Sequence, residues 1–394
     1  MEFRTIKALC DLVVDCPHST PAWTEQGKIV IRNNNIKNGK IDLSSPSFTD
    51  DENFAQRTKR ALPKAGDIVI TREAPMGEVG MIPEKVECCL GQRMVLLRVN
   101  NQLCDNYYLL YSLQSSIVQQ QISWSMGTGT TVSNLRIPHL EQIRVPYVPL
   151  DKQKQISSVL RAIEEKIDNN SKLNDNLEQQ ATAYFQELFI NNANPLWKIG
   201  TISDLGTVVG GSTPSKTKPE YYTNTGIAWI TPKDLSINKS KFISHGENDI
   251  TELGLKNSSA TLMPKGTVLF SSRAPIGYIA IASDEVTTNQ GFKSVVPYSE
   301  IGTAFVYFFL KQSLPVIEGA ASGSTFKEIS GSAMKNIPAI VPDRSTLDQF
   351  NSFCAPIFAQ QKILEDQNHS LAILRDALLP KLMSGAIDAA NIQL

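Results

Sequence analysis

The longest regular pattern of apolar and polar positions lies between Leu150 and Ile190, where forty-one residues pass without glycine or proline. Mostly apolar residues recur in this stretch at alternating steps of four and three positions, which gives an average period of 3.5 residues. That period is typical of a coiled-coil seam and is narrower than the apolar stripe of an ordinary surface helix. The pattern therefore predicts a central spacer helix over residues 149–192.

The same heptad pattern returns 194 residues later and predicts a second, C-terminal spacer helix over residues 343–394. Two unrelated amphipathic helices are the alternative, but an unrelated pair is not expected to keep both the phase and the central asparagine, which is Asn174 in one copy and Asn368 in the other. The predicted seam consists of Ile156, Leu160, Ile163, Ile167, Asn170, Leu177, Tyr184 and Leu188, followed by Phe350, Ile357, Leu364, Asn368, Leu371, Leu378 and Leu382.

The two predicted helices are expected to pair as an antiparallel coiled coil. A helix of about 35 residues spans about 52 Å, so the second helix buries its seam most simply by running back along the first. This pairing places Asn170 opposite Asn368, and an asparagine layer is a common device for fixing register at some loss of stability. We expect Leu173, Phe185, Phe189, Ile363 and Leu374 to form an exposed apolar outer face.

The ranges before each helix also repeat, and each reads as short strands separated by turns. Gly66, Ala74, Pro75 and Gly77 recur 200 residues later as Gly266, Ala274, Pro275 and Gly277. Strands are predicted over 28–36, 66–74, 78–86 and 94–100, and over 226–231, 266–272, 278–283 and 292–297. Helices are predicted over 106–121 and 303–318.

These patterns predict an α+β chain with four consecutive parts and approximate two-fold symmetry. Two tandem mixed α/β domains, over 1–148 and 193–342, are each followed by one of the spacer helices, over 149–192 and 343–394. The first helix then acts as a ruler whose length sets the distance between two sites. Such an arrangement could read two short DNA sites that are separated by an unread spacer. It could equally be a scaffold that binds two identical protein partners.

Composition changes this picture little. The net charge is −1, but the globular ranges 1–145 and 195–342 carry 29 basic and 26 acidic residues, whereas the helical ranges carry 9 and 13. This distribution permits DNA binding without requiring it. No apolar run reaches a membrane span, and the N-terminus lacks the features of a secretion signal. Six cysteines without a paired spacing favour reduced thiols and a cytoplasmic location.

Several fragments suggest catalysis, but each is incomplete. The stretch 210–216 resembles a phosphate loop without the required glycine spacing, and Pro214 removes a backbone donor. Cys10, Cys16 and His18 lack the further residues of a four-ligand metal site. Glu164-Glu165-Lys166 resembles a nuclease fragment but lies on a predicted solvated helix face, and no adenine-methyltransferase motif is present. We therefore expect no catalytic and no metal-binding residues in this chain.

Several longer strings resemble the specificity subunits of Type I restriction–modification systems. They are VVDCPHSTP (13–21), VIRNNNIKNGKID (30–42), QRTKRALPKAGDIVITREAPMGEVG (56–80), GGSTPSKTKPEYY (210–222), GIAWITPKDL (226–235), LFSSRAPIGYIAI (269–281) and LRDALLPKLMSGAI (374–387). They cover essentially the whole chain in the expected order. The start of the second helix, VPDRSTLDQF (341–350), departs from the family pattern.

The resemblance implies a DNA-reading subunit that is not itself an enzyme. Each globular range would be a target-recognition domain for one half of a split asymmetric DNA sequence. The helices would dock two adenine methyltransferase subunits, and restriction subunits would complete a complex that methylates or cleaves DNA. S-adenosylmethionine, ATP and Mg²⁺ would belong to those partners. The alternative is a two-headed scaffold that binds proteins or glycans.

Candidate DNA contacts are chosen by side-chain type, because Arg, Lys, Asn and Gln read base edges while Lys, Arg, Ser and Thr also hold phosphates. In the first domain they are Arg32, Asn33, Asn34, Arg57, Lys59, Arg60, Arg72, Thr128 and Thr130. In the second they are Ser215, Lys216, Lys233, Ser272, Arg273, Lys293, Ser324 and Lys327. Arg72 and Arg273 are favoured because each lies just before Ala-Pro-x-Gly. The four tryptophans are expected to pack in cores or at domain edges rather than stack on bases.

Overall fold

The computed structural model describes residues 2–124, 134–323 and 327–392, and the chain divides into two compact units. The first unit comprises Met1–Ile167 with Ser370–Leu394, and the second comprises Asp168–His369. Both boundaries fall inside the long helices, so each unit contains one globular range and one segment of each helix. The predicted globular ranges 1–148 and 193–342 each lie within a single unit.

The globular part of the first unit alternates short strands with short helices. Its strands are β1 Glu2–Thr5, β2 Cys10–Asp15, β3 Lys28–Ile31, β4 Ile36–Lys37, β5 Lys40–Ile41, β6 Ser47–Thr49, β7 Ile68–Thr71, β8 Val79–Met81, β9 Cys88–Leu90, β10 Met94–Val99 and β11 Arg144–Tyr147. Its helices are α1 Ile6–Leu9, α2 Asp51–Thr58, α3 Asn106–Gln114, α4 Ser116–Trp124 and α5 Ile137–Gln142. The first long helix, α6, follows over Leu150–Gln186 and ends in a π-helical turn, Glu187–Asn191.

Two sheets form the framework of the first unit. The larger has the strand order β2-β10-β7-β8 and is antiparallel, with Val95 opposite Asp15 on one side and Ile70 on the other. The smaller has the order β6-β3-β9, in which β3 is antiparallel to β6 and parallel to β9. Since β7 is fully buried, its four residues pack on both faces of the larger sheet.

The second unit repeats this sequence of elements. Its strands are β12 Lys198–Thr201, β13 Gly206–Gly210, β14 Tyr222–Thr223, β15 Ile227–Ile230, β16 Phe242–Ile243, β17 Asn248–Ile250, β18 Val268–Ser272, β19 Ile276–Ala282, β20 Thr287–Thr288, β21 Lys293–Pro297 and β22 Pro338–Val341. Its helices are α7 Ile202–Leu205, α8 Pro232–Ile237, α9 Glu252–Lys256, α10 Thr303–Gln312, α11 Leu314–Gly319, α12 Gly331–Lys335 and the long α13 Arg344–Ser384, which continues into the first unit.

The sheets of the second unit repeat the strand orders of the first, and each adds one edge strand: β16, parallel to β19, in the larger sheet and β14 in the smaller. The larger sheet has the order β13-β21-β18-β19-β16, and the smaller has the order β14-β17-β15-β20, again with one parallel pair, β15 and β20. In both units the first strand pairs with the last strand before the long helix, as β1 with β11 and β12 with β22. The internal repeat predicted from the sequence is therefore a repeat of fold, and the α+β class is confirmed.

The long helices pair through the predicted seam, and the asparagine layer lies in the second unit. The Asn170 amide donates to Asn368 Oδ1 at 3.0 Å and to Gln367 Oε1 at 3.2 Å, and the Asn368 amide donates to Ser171 Oγ at 3.1 Å. Asn170 is buried, so these hydrogen bonds satisfy an amide that water does not reach. The predicted antiparallel pairing of Asn170 with Asn368 is confirmed.

Seam residues of both helices help to complete the core of the first unit. Ile156, Leu160 and Ile163 from α6 and Leu382 from α13 are buried in one cluster with strand β7 and helix α3. Ile167 and Leu371 pack against the edge of this cluster. The globular part of the first unit therefore buries its apolar surface partly against the helix pair.

In the second unit, α6 buries more than its predicted seam. Phe185 and Phe189 were expected on an exposed outer face, but they are 3% and 1% exposed. Their rings contact Phe305 on α10 and Phe350 on α13, with centroids 4.8 to 5.9 Å apart. The expectation was wrong because this end of α6 has two apolar faces, one toward α13 and one toward α10. Leu173, Ile363 and Leu374 are 43–48% exposed, as expected.

Several predicted elements end earlier than the patterns indicated. The predicted strand 28–36 stops at Ile31, because Asn33–Asn35 form a 3₁₀ turn. The helix predicted over 106–121 is interrupted at Ser115, whose hydroxyl donates to Ser112 O at 2.6 Å. The helix predicted over 303–318 breaks at Ser313, before a proline at the second position of α11. Within the described residues, no helix is long and apolar enough to cross a membrane.

The burial of Phe189 leads to a stability prediction. We expect Phe189→Ala to lower the free energy of unfolding by about 3–5 kcal/mol, because it removes a ring from a packed aromatic cluster. The neighbouring Ile190 is 48% exposed, so Ile190→Ala is the matched control and should cost less than about 0.5 kcal/mol. Urea denaturation measures both values. Equal losses for the two variants would contradict the assignment of Phe189 to the core.

Candidate nucleic-acid interface

Each unit carries the same hydrogen-bonded loop after the central strand of its larger sheet. After β7, the Thr71 hydroxyl donates to Pro75 O at 2.7 Å. After β18, the Ser271 hydroxyl donates to Pro275 O at 2.8 Å. The loop is thus built in both copies from a hydroxyl residue at or next to the end of the strand and a proline four residues later.

The alanine before each of these prolines has an unusual backbone conformation. Ala74 has φ 45° and Ala274 has φ 54°, and each precedes a cis peptide bond. The left-handed region costs an L residue roughly 1–2 kcal/mol, and residues held there by their surroundings cluster at functional sites. Both alanines line an open cleft, one in each unit. The repeated loop therefore marks a repeated surface site.

The first cleft has a volume of about 450 Å³ and is formed by the loops after β2, β3, β7 and β9. Its lining residues are Thr20, Pro21, Trp23, Arg32, Asn33, Asn34, Ala74, Gly91, Gln92 and Arg93. Three of the predicted DNA contacts, Arg32, Asn33 and Asn34, are therefore brought together here. The lining combines cationic, amide and aromatic side chains.

An aromatic–cation pair forms one wall of the first cleft. Trp23 is 48% exposed, and the Arg32 guanidinium lies 5.2 Å from its ring centroid. Arg93, which has φ 65°, lies 3.3 Å from the Glu73 carboxylate. Arg32 has no carboxylate partner among its hydrogen bonds in the described residues, where it contacts Ser47 Oγ at 3.4 Å. Its guanidinium is therefore available to a ligand that offers acceptors.

Asn33 holds the floor of the first cleft to the repeated loop. Its amide nitrogen donates to Glu73 O at 2.6 Å, while its Oδ1 atom is buried and lacks a hydrogen-bond partner within the described structure. A buried acceptor without a partner costs about 1–3 kcal/mol. A donor from a ligand in the cleft would remove that cost. Asn34, the next residue, is exposed.

The second cleft has a volume of about 480 Å³ and is formed by the corresponding loops of the second unit. Its lining residues are Thr213, Lys216, Trp229, Thr231, Pro232, Lys233, Asp234, Glu247, Asn248, Arg273, Ala274, Asn289, Gln290 and Gly291. The predicted contacts Lys216, Lys233 and Arg273 are brought together here. Unlike Trp23 in the first cleft, Trp229 is only 6% exposed.

Two of the three cations that line the second cleft, Lys233 and Arg273, are paired with carboxylates. Lys233 Nζ lies 2.6 Å from Glu247, and this hydrogen bond raises the pKa of Lys233 above its ordinary value. Arg273 Nη1 lies 3.3 Å from Glu328. Lys216 is exposed. The two clefts therefore share a framework but present different charge patterns.

A threonine–glutamine contact recurs at the same place in both clefts. The Gln92 amide donates to Thr20 Oγ1 at 3.0 Å and to His18 O at 2.6 Å. In the second cleft, the Thr213 hydroxyl donates to Gln290 Oε1. The glutamine follows a strand of the smaller sheet in each unit, so this contact ties that sheet to the loop that begins each cleft.

A buried lysine ties the start of β16 to α6 and α13. The Lys241 side chain is 5% exposed, forms an ion pair with Glu178 and donates to Gln361 Oε1 at 2.5 Å. Burial lowers the pKa of Lys241, although the Glu178 carboxylate opposes that shift. Burial alone would raise the pKa of Glu178, but Lys241 and Lys311 hold it below its ordinary value. Six residues after Lys241, the chain reaches Glu247, which lines the second cleft.

The structure buries the side chains of three residues that were predicted as DNA contacts. Arg57 is 6% exposed and donates to Leu90 O at 2.8 Å and Ser19 O at 2.9 Å, so it joins backbone segments. Burial lowers the pKa of its guanidinium. Ser272 is fully buried in β18. The third residue is Arg72.

Arg72 is 8% exposed and forms two 2.9 Å contacts to the Asp15 carboxylate and one to Leu135 O. Leu135 N donates to Arg72 O at 3.0 Å, and in the second unit Ile329 N donates to Ser272 O at 3.1 Å. These bonds make Arg72 the equivalent of Ser272 rather than of Arg273. Arg72 and Arg273 therefore lie one position apart in the repeat, and adjacent residues of an extended chain point to opposite sides. For this reason Arg72 is buried whereas Arg273 lines a cleft.

The remaining predicted contacts lie outside the clefts or outside the described structure. Lys59, Arg60, Ser215 and Lys327 are exposed but do not line either cleft, and Lys293 is partly buried beside the second cleft. Thr128, Thr130 and Ser324 lie outside the described residues.

Sequence reasoning missed Gln92, Arg93, Thr213 and Gln290, and it assigned Trp23 to packing. The repeat contained a usable signal, since Gln92 and Gln290 stand next to a glycine in both copies. The position of Arg93 had no such signal, because its left-handed backbone is set by the turn into β10. Trp23 is exposed because the loop that carries it lies at the cleft mouth.

The fragments that suggested catalysis have structural roles. Glu164 accepts a hydrogen bond from the Tyr111 hydroxyl at 2.9 Å, and Glu165 pairs with Arg161 at 3.1 Å. His18 lies 2.9 Å from the Asp15 carboxylate. Among the residues that the structure describes, no group of three His, Cys, Asp or Glu side chains is arranged to hold a metal ion.

Comparison with known proteins gives the same family for both halves of the chain. The model of the Type I restriction modification DNA specificity domain matches residues 18–179 and 194–367. The MjaIX specificity subunit of Methanocaldococcus jannaschii is 42% identical over 160 residues, or 40% of this chain. The HindI specificity subunit of Haemophilus influenzae is 28% identical over 194 residues, or 48% of this chain. The chain spans only 37% and 42% of the length of these two relatives.

Two further matches cover most of the chain. The putative MjaX specificity subunit of Methanocaldococcus jannaschii is 23% identical and is covered over 83% of its length, with 86% of this chain. The crystal structure of a Type I restriction–modification S subunit from M. genitalium has a TM-score of 0.61 at 18% identity, covering 97% of this chain and 95% of that one. The latter similarity supports the fold described above.

Arg72 and Arg32 should differ in their effect on stability. We expect Arg72→Ala to lower the free energy of unfolding by about 3–5 kcal/mol, because it removes the buried guanidinium that donates to Leu135 O and pairs with the partly buried Asp15 carboxylate. Arg32→Ala removes an exposed contact with Trp23 and should cost less than about 1 kcal/mol. Thermal and urea denaturation measure both. An Arg72→Ala variant as stable as Arg32→Ala would contradict the structural role of Arg72.

Proposed function

Since the chain belongs to the family of Type I restriction–modification specificity subunits, we propose that it reads a bipartite, asymmetric DNA sequence. Each cleft binds one half of that sequence, and the two halves differ. The chain itself carries out no chemistry. It supplies the sequence specificity of a complex that methylates adenine and cleaves DNA.

The observation that carries this proposal is a shared framework with different lining residues. The repeated loop and the threonine–glutamine contact build both clefts in the same way. The first cleft nevertheless presents Trp23 and Arg32, and the second presents Lys233 and Arg273. A duplicated framework with different side chains is suited to reading two different short sequences on the same kind of ligand.

The lining residues fit base edges and phosphates. Arginine pairs with the O6 and N7 acceptors of guanine, and asparagine pairs with the N6 and N7 atoms of adenine. Arg32 and the exposed Asn34 therefore supply both kinds of base contact in the first cleft. Lys216 and Lys233 suit phosphate oxygens at the second cleft, since a lysine is a compact charge without a planar fork.

We further propose that the helices dock two adenine methyltransferase subunits and that restriction subunits join this complex. Leu173 and Ile363 in the second unit are 46% and 48% exposed on the helices, and Leu374 in the first unit is 43% exposed. Exposed apolar residues on a helix suit burial against a protein partner. S-adenosylmethionine, ATP and Mg²⁺ belong to those partners.

The test is to express the chain with the gene products encoded beside it and to sequence the methylated DNA of the host. We expect one methylated motif made of two short halves with a fixed spacer, and we expect it to disappear when the chain is deleted. A pull-down of the chain should recover a methyltransferase. If neither a motif nor a methyltransferase is found, the chain is better described as a two-headed scaffold for proteins or glycans.

Arg32→Ala should weaken binding to the selected DNA duplex. A base-reading arginine contributes about 1–3 kcal/mol, so we expect affinity to fall roughly 5- to 150-fold, with relaxed base choice in one half only. Electrophoretic mobility shifts with single-base variants of the motif measure both effects. Lys64→Ala, which removes an exposed cation outside the first cleft, is the control. Unchanged base choice in Arg32→Ala would remove Arg32 from the interface.

A further inference from the structure

We propose that Glu328 is a positioning residue of the second cleft, which orients Arg273 for one base pair and keeps Lys293 away from phosphates. This inference rests on the proposed function. One carboxylate serves both cations: Glu328 Oε2 lies 3.3 Å from Arg273 Nη1, and Glu328 Oε1 lies 3.6 Å from Lys293 Nζ. The second cleft thereby gains an arginine whose direction is set before DNA arrives.

The backbone of Glu328 is held firmly enough to perform this role. Glu328 N donates to Ser322 O at 2.9 Å, and Ser322 N donates to Glu328 O at 3.1 Å. The next residue, Ile329, is fully buried and donates its N–H to Ser272 O at 3.1 Å. The carboxylate therefore extends from a short segment that is bonded on one side to Ser322 and on the other to strand β18.

The corresponding position in the first unit has no charge. The equivalence of Arg72 with Ser272 places Asn134, which precedes Leu135, at the position of Glu328. In the first unit the buried cation is Arg72, which Asn134 contacts at 3.1 Å and Asp15 neutralises. In the second unit the equivalent residue is Ser272, whose side chain is smaller than that of arginine. Lys293 Nζ from β21 lies 3.5 Å from the Ser272 hydroxyl. The second unit thus has a carboxylate, Glu328, where the first unit has the uncharged amide of Asn134.

The pair between Glu328 and Arg273 is suited to orientation more than to stability. Both side chains are 37% exposed, and an ion pair with that exposure stabilises a fold only weakly. Arg273 contacts the carboxylate through Nη1, which leaves other guanidinium donors for the cleft that Arg273 lines. A guanidinium held from one side can present its planar fork to guanine O6 and N7.

Glu328 also restricts the less specific kind of binding. Without its carboxylate, Arg273 and Lys293 would both be free to contact phosphates, and these contacts carry no sequence information. Each added phosphate contact raises the slope of log affinity against log salt by about 0.9. The structure therefore links one side chain to two measurable quantities, base choice in one half-site and salt dependence.

The experiment uses the full chain, with any methyltransferase that co-purifies, and a library of random DNA duplexes from which bound molecules are sequenced. The variant Glu328→Gln keeps the size of the side chain and removes its charge. We expect it to relax base choice in one half of the motif only. We also expect stronger binding to a scrambled duplex, with a salt slope larger by about one to two. Glu285→Gln, an exposed carboxylate outside the second cleft, is the control for net charge.

A second variant separates orientation from charge. Arg273→Lys keeps the positive charge but loses the planar fork, so it should relax the same base positions without the rise in salt slope. A wild-type motif that Glu328→Gln leaves unchanged would overturn this inference alone. So would stronger binding to all sequences with base choice intact, because Glu328 would then only screen charge. A wild-type chain that selects no motif would overturn the proposed function and this inference together.

Discussion

Both globular parts of this protein depend on apolar burial against segments of the same two helices. The core of the first unit includes Leu160 from α6 and Leu382 from α13, and the core of the second includes Phe189 and Phe350. Neither core is complete without residues from both helices. Since burial of apolar surface is the main favourable contribution to folding, the helix pair is an integral part of each unit as well as the connection along the chain.

This dependence explains how the two clefts can differ without loss of the fold. The residues that pack on the helices belong to the two cores, whereas Arg32 and Arg273 lie on loops at the clefts and Lys233 lies on the short helix α8. Surface loops tolerate changes that a core does not. The repeated loop that contains Ala74 or Ala274 holds the cleft in place, and the side chains around it can change independently in each copy. The proposed reading of two different half-sites requires this separation.

Local patterns and distant contacts were predicted with different success. The heptads predicted both long helices and the pairing of Asn170 with Asn368, because a seam repeats at a spacing that the sequence displays directly. The same patterns failed for Phe185 and Phe189, which face α10 from outside the seam. The patterns also did not indicate that Arg72 is buried, because it contacts Asp15, fifty-seven residues earlier in the chain. A side chain's position next to a shared motif does not indicate on which face of the strand it lies.

The sequence by itself determined the repeat, the α+β class, the two long helices and the family resemblance, all of which follow from spacing and from strings that can be compared along the chain. The tertiary structure alone decided which polar residues share a cleft, that Arg57 and Arg72 hold backbone segments together, and that Glu328 meets Arg273 and Lys293. The physical reason is that a polar side chain's role depends on whether it reaches water or a partner, and that partner is commonly remote in sequence.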